Sequence, residues 1–295
     1  MFTTLISAQQ LAALQTSGQA YKVFDCSFEL MQHGAGEQQY RQAHIPGAVH
    51  ADLELHLSAR KTVRSGRTQT AASGGRHPLP SRESFVAWLG SIGFSNTMQA
   101  VVYDRQGVNY CGRLWWMLKW VGHEAVAVLD GGLQAWQASG GETHNAMLAG
   151  TGVPLANSNY AMAPAKATLI TTEILEGQLG RPSQNLIDAR ATPRFRGEVE
   201  PLDPVAGHIP GALNRPFGLN LDSQGKFKPA TQLRAEFTAR LAGRDPASVV
   251  HHCGSGVSAV PNLIAMEVAG LGRTALYAGS WSEWCSDPLR PIAQG

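Results

Sequence analysis

The sequence is poor in cysteine, in charge and in long apolar runs. Four cysteines occur in 295 residues, Cys26, Cys111, Cys253 and Cys285. None forms C-x-x-C, and their spacing fits neither a zinc site nor a dense disulfide framework. In a reducing compartment such a cysteine is either a small buried hydrophobe or a nucleophile. Charged residues are 16% of the chain and the net charge is +2, with no basic run, which excludes nucleic acid and membrane surfaces as expected partners. No apolar run approaches the roughly 20 residues that span a bilayer. No charged side chain precedes Lys22, which argues against a secretory signal or an Arg-rich transit peptide and predicts a cytoplasmic protein.

What is present is enough apolar residue, 43%, to bury two cores. Ser7 reads as a helix N-cap, with Leu11 and Leu14 on one helix face. The chain also repeats itself. "YKVFDCSFEL" (21–30) resembles "QNLIDARATP" (184–193), which pairs Asp25 with Asp188. "HIPGA" stands at 44–48 and again at 208–212. Residues 101–136 align without gaps to 249–284, placing Gly122 on Gly270 and Trp136 on Trp284. Three blocks in one order indicate a duplicated domain. In each copy a strand (101–103, 249–251), a helix (112–121, 260–269) and a strand (125–129, 274–277) are predicted. Strands alternating with helices give an α/β domain with a mostly parallel sheet flanked by helices. The boundaries predicted are a domain at 1–140, a linker at 141–167 rich in Gly, Ala, Asn and Pro, and a domain at 168–295.

The duplication isolates the chemistry. Where the second copy has Cys253, in "HHCGSGVSAVP", the first has Arg105, so the first copy is expected to be non-catalytic. A strand ending in a tight turn before a helix aims turn amides and the helix N-terminus at one point, where an anion is stabilised. A cysteine there favours its thiolate. Gly254 and Gly256 are expected to supply positive φ and close approach to the sulfur. Pro261 suits the first helical turn. Rival motifs fail: Ala259 stands where a Cys-x5-Arg phosphatase loop needs arginine, and neither Walker A nor G-x-G-x-x-G is matched. Adjacent strand residues His251 and His252 point to opposite faces, so no metal is expected.

Two α/β halves, a repeated "HIPGA", "LDGGLQAW", "GSWSEW" and the "CGSGVS" loop resemble the two-domain rhodanese-like sulfurtransferases over nearly the whole chain. The loop is similar to that of the 3-mercaptopyruvate sulfurtransferases; thiosulfate sulfurtransferases usually carry basic side chains just after the cysteine. The resemblance implies two tandem rhodanese-like domains, no metal or other cofactor, and a persulfide on Cys253 cradled by residues 254–258, among them Gly254, Gly256, Val257 and Ser258. It implies a small-molecule sulfur donor and a thiol or cyanide acceptor, a thioredoxin-like protein among the candidates. The alternatives are thiosulfate as donor, or a persulfide carrier loaded by a desulfurase.

The resemblance also implies a Ser-His-carboxylate set, here Ser255, His77 in "RHPLP" and Glu54, where the family has Asp. The first copy has sixteen more residues than the second between "HIPGA" and the "VV" strand, and His77 lies in that extra segment. Arg194 is implied as the arginine that binds the substrate anion, with Arg190 and Arg196 the nearby alternatives, a role suited to the guanidinium fork. A second such arginine is replaced by Leu202, in "EPLDP". Arg190, Asp188 and His208 are read as structural, Cys285 as packing, and Trp115, Trp116, Trp120 and Trp136 as core or domain-interface residues.

Overall fold

The computed structural model describes residues 1–59, 70–145 and 158–295, so 146–157 of the expected linker lie outside the described residues. The chain divides into two compact units. The first comprises Met1–Thr70, Pro80–Lys166 and Ser223–Lys226; the second comprises Ala71–Leu79, Ala167–Asp222 and Phe227–Gly295. The extra segment that carries His77 therefore belongs to the second unit.

The first unit contains β1 (Leu5–Ile6), α1 (Ala8–Thr16), β2 (Tyr21–Asp25), α2 (Ala35–Gln42), β3 (Val49–His50), α3 (Arg82–Ser91), β4 (Gln99–Tyr103), α4 (Cys111–Trp120), β5 (Val126–Leu129) and α5 (Gly132–Ala138). The second contains β6 (Thr168–Leu169), α6 (Thr172–Glu176), β7 (Leu186–Asp188), α7 (Thr192–Arg196), β8 (Leu213–Asn214), α8 (Ala230–Leu241), β9 (Val250–His252), α9 (Val260–Val268), β10 (Ala275–Leu276) and α10 (Ser280–Trp284). Each unit holds a five-stranded sheet, ordered β1-β5-β4-β2-β3 and β6-β10-β9-β7-β8, and every pairing is parallel. This is the expected α/β architecture, twice.

Local chemistry accounts for the elements. Ser7 caps α1 through a reciprocal box with Gln10, and Leu11 and Leu14 face the core. All five residues of β4 are buried, as a central parallel strand covered on both faces requires. All ten residues of α4 are buried; Lys119 lies there 3.2 Å from Glu124 and over the Trp115 ring. In α9 Pro261 occupies the first turn, where no donor is lost. The second core is anchored by Trp281 and Trp284, both fully buried, whose indole N–H groups donate to Val205 O and Pro291 O. Truncating either would cost about 3–5 kcal/mol. No helix among the described residues is long and apolar enough to cross a membrane.

The carboxyl ends of β7 and β9 lie side by side, with Asp188 opposite His252. In a parallel sheet that edge is where ligands bind. It delivers Cys253 and its loop.

Candidate active site

Cys253 follows β9 directly and is buried. Its amide donates to Ser280 Oγ (3.1 Å), which in turn donates to Tyr277 O (2.9 Å). Its carbonyl accepts from Trp281 N, and that of Gly254 from Ser282 N, each at 2.9 Å. Carbonyls of the loop are thus turned onto α10. The amides of Gly254, Ser255, Val257 and Ser258 have no carbonyl partner among the described residues. Such a row of amides is an anion cradle.

The two loop glycines serve different ends. Gly256 has φ +73°, and a Cβ there would lie 2.1 Å from Ala278 O, so only glycine fits. Gly254 is not in the left-handed region, contrary to expectation. What it supplies is space: a Cβ would sit 3.2 Å from Arg76 Nη2 and 3.5 and 3.6 Å from Arg194 Nη1 and Nη2.

Ser255 Oγ lies 2.8 Å from His77 Nδ1, and both residues are buried. The segment bearing His77 reaches this position through close backbone approach. A Cβ on Gly75, at φ +85°, would meet Gly279 O at 2.6 Å, and the next amide, of Arg76, donates to Ser282 Oγ at 3.0 Å. Glu54 is the expected third member. It belongs to the first unit, is half exposed, and pairs with His33 Nδ1 at 3.6 Å. Its turn directs Asp52 inward instead, where that carboxylate caps the amides of Glu54 and Leu55.

Arg194 sits in a chain of alternating charge. Arg190 binds Asp188 through Nε and Nη2, the latter at 2.7 Å, and donates to Gly207 O. Glu200 Oε2 lies 3.4 Å from Arg190 Nη1, and Glu200 takes Arg194 bidentately at 2.6 and 3.3 Å. Asp203 then bridges Arg194 (3.4 Å) and Arg76 (2.5 Å). Burial pushes the Asp203 carboxyl up, against the pull of Arg76 and Arg194. Asp188 is held below the usual range: burial opposes its ionisation, but His252, Arg190 and the hydrogen bonds from Arg190 outweigh it. Burial drives His252 down to about 4, so it is neutral near pH 7. No group of three or more His, Cys, Asp or Glu among the described residues is placed to hold a metal ion.

Sequence reasoning missed Arg76, Glu200 and Asp203. Arg76 adjoins His77 in "GGRHPLP", and the two acids flank Leu202 in "EPLDP", so both were in view without a pattern to pair them. Leu202 offers its amide to Glu200 Oε1 at 3.0 Å. Cys285 packs in the Trp281–Trp284 core, and burial pushes its thiol up, the behaviour of a packing thiol.

A family model described as "Rhodanese-like domain" matches residues 7–139 and 171–287, most of the chain. The chain belongs to the rhodanese-like family. Sulfur transfer is the reaction of that family. Among its relatives, the probable 3-mercaptopyruvate sulfurtransferase of Pseudomonas aeruginosa is 46% identical over 292 residues, covering 99% of this chain and 98% of its own. The putative thiosulfate sulfurtransferase SseB of Mycobacterium tuberculosis is 38% identical over 295 residues, 99% of this chain and 97% of its own. The human 3-mercaptopyruvate sulfurtransferase is 33% identical over 295 residues, covering 95% and 91%. The crystal structure of SseA from Escherichia coli, described as showing the rhodanese fold of the 3-mercaptopyruvate enzymes, matches with a TM-score of 0.76 at 29% identity. It covers 95% of this chain and all of its own.

Proposed function

We propose that this rhodanese-like protein is a 3-mercaptopyruvate sulfurtransferase that carries sulfur as a persulfide on Cys253. The observation that carries the reading is the Ser255–His77 pair at 2.8 Å, its serine on the loop of a buried cysteine whose neighbouring amides have no carbonyl partner among the described residues. The Cys253 thiolate attacks the donor sulfur, and an S–S bond forms as the C–S bond breaks. The electron pair of that bond leaves with the carbon as pyruvate enolate. Ser255, backed by His77, relays the proton that converts the enolate to pyruvate. The loop amides hold the negative outer sulfur. An acceptor thiolate or cyanide then takes that sulfur and regenerates the Cys253 thiolate, a covalent two-step course with ping-pong kinetics. A thioredoxin-like dithiol protein in the cytoplasm fits the second step. The first unit, with Arg105 at the cysteine position, is a non-catalytic scaffold.

Thiosulfate is the second reading. The absence of arginine at Leu202 and the name of the mycobacterial relative favour it; the small, uncharged residues after Cys253 weigh against it.

The test is a steady-state comparison of the two donors, with pyruvate and sulfite release measured directly. Mercaptopyruvate is expected to give the larger kcat/KM, and His77→Ala to slow it by about 10²-fold. Sulfite release without pyruvate release would replace this reading by the second. Persulfide accumulation with neither product would mark a carrier.

A further inference from the structure

Arg194 directs Nε and Nη2 at Glu200, which leaves Nη1 facing Gly254. Arg76 directs Nη1 at Asp203, which leaves Nη2 facing the same residue. Both free nitrogens converge on one point beside the residue that follows Cys253: a Cβ on Gly254 would be 3.2 Å from one and 3.5 Å from the other. The acid side chains behind them are only 3% (Glu200) and 4% (Asp203) exposed, whereas the arginine side chains are 18% (Arg194) and 25% (Arg76) exposed. The acids are therefore the fixed part and the nitrogens the presented part. Arg76 is fixed further by its amide on Ser282 Oγ, and its Nε is buried with no hydrogen-bond partner.

We infer that Arg76 is the second substrate-binding arginine of this enzyme: Arg76 Nη2 and Arg194 Nη1 together take the two oxygens of the donor's carboxylate. Leu202 supplies no such group. Two donors set side by side match the geometry of a carboxylate, and a sulfonate oxygen pair fits equally. Bound there, the carboxylate lies beside Gly254, which holds the donor sulfur close to Cys253. The inference rests on the proposed function for the identity of the donor but not for the anion site itself.

The test therefore uses a probe independent of sulfur transfer. Rates of alkylation at Cys253 by iodoacetate and by uncharged iodoacetamide are measured by peptide mass in the native protein, Arg76→Ala, Arg76→Lys and Asp203→Asn. Arg76→Ala is expected to slow iodoacetate about tenfold, the lower end for a charge-assisted hydrogen bond in a partly exposed cleft, and to leave iodoacetamide within twofold. Arg76→Lys should restore part of the loss. Asp203→Asn frees both guanidinium groups from a competing carboxylate and should speed iodoacetate. If Arg76 were only a structural strut for Asp203, both variants would slow the two reagents alike; that result, or an unchanged ratio in Arg76→Ala, overturns the inference. KM for mercaptopyruvate should rise about tenfold in Arg76→Ala with a smaller change in kcat. Absence of mercaptopyruvate turnover in the native protein would instead remove the proposed function and leave the anion site standing.

Discussion

The loop after β4 in the first unit and the loop after β9 in the second align residue for residue, yet one is closed on itself and the other is open. In the first, the Asp104 carboxylate takes the amides of Gln106 and Val108 at 3.0 Å, Tyr110 at 2.8 Å and Cys111 at 2.9 Å. An anion already fills that cradle. At the aligned position in the second unit stands His252, and the corresponding amides of Gly254 and Ser258 have no carbonyl partner among the described residues. Arg105, aligned with Cys253, turns back onto Asp25 at 3.1 Å and onto Ser27 Oγ and Ala43 O. In the second unit Arg190 does the same for Asp188 and Gly207 O from a different attachment, two residues past the strand. The guanidinium is needed by both folds. Moving it to the strand end frees the loop position for a cysteine, and replacing Asp104 by histidine frees the amides for an external anion. Backbone shape survives both changes: Val108 holds φ +68° where Gly256 holds +73°, although a β-branched residue is strained there.

The largest expected effects separate the two loops by what each residue does. Cys253→Ser should abolish persulfide formation, read as the loss of the roughly 32 Da mass gain on donor treatment, since no thiolate remains at the cradle. The stability of the protein should change little. Arg105→Ala should show the opposite profile. It leaves the fully buried Asp25 carboxylate without its paired cation, held only by Tyr103 OH and Ser27 N among the described residues, and should destabilise the first unit by about 3–5 kcal/mol in denaturant unfolding. Persulfide surviving in the first variant, or undiminished stability in the second, would erase the division of labour.

Acid should distinguish the units next. His251 and His252 are held neutral by burial, down to about 3 and about 4. Both bind protons more readily when unfolded, so the second unit keeps its full stability above about pH 6.5 and loses it as pH falls toward the folded values. Near pH 5 each costs on the order of 2 kcal/mol. The lowered carboxyl of Asp188 adds a loss only below that window, as pH falls through its own depressed value. At the aligned positions the first unit has Tyr103 and Asp104; its buried His123 is also lowered, but it is not part of such a pair. Hydrogen exchange at pH 5 and pH 7 should therefore show protection falling first in peptides of the second unit. Equal losses in both units would mean the paired histidines do not set acid sensitivity.

Most of the fold was legible because duplication printed it twice. The strand expected at 249–251 is found at Val250–His252, and the helix expected at 260–269 at Val260–Val268. Ser7 and Pro261 mark helix starts by chemistry that acts within a few residues. The site was legible where its chemistry is local, as in the cysteine loop, or carried by one resemblance, as for His77 beside Ser255. It was illegible where partners are distant in sequence. Arg76, Arg194, Glu200 and Asp203 form one charge ladder only after the fold assembles them, and loops have no periodicity to announce it.

The smallest expected effect concerns the insertion that the first unit lacks. Thirteen positions separate Phe195 from His208, whereas four separate Tyr40 from His44, although each aromatic ring stacks on its histidine in the same way. The added residues carry Glu200, Leu202 and Asp203, so this insertion supplies the acids that pair with Arg194 and Arg76. An arginine at Leu202 would stand between two carboxylates already engaged by Arg194 and Arg76. With the anion's two oxygens already taken, Leu202→Arg should lower KM for mercaptopyruvate only about two- to threefold, through long-range attraction in a partly wet cleft. Steady-state kinetics at low and high salt check this, because screened attraction fades with salt and a direct hydrogen bond does not. A salt-independent gain of tenfold or more would show that the native cleft lacks its second guanidinium contact, and Arg76 would lose that role.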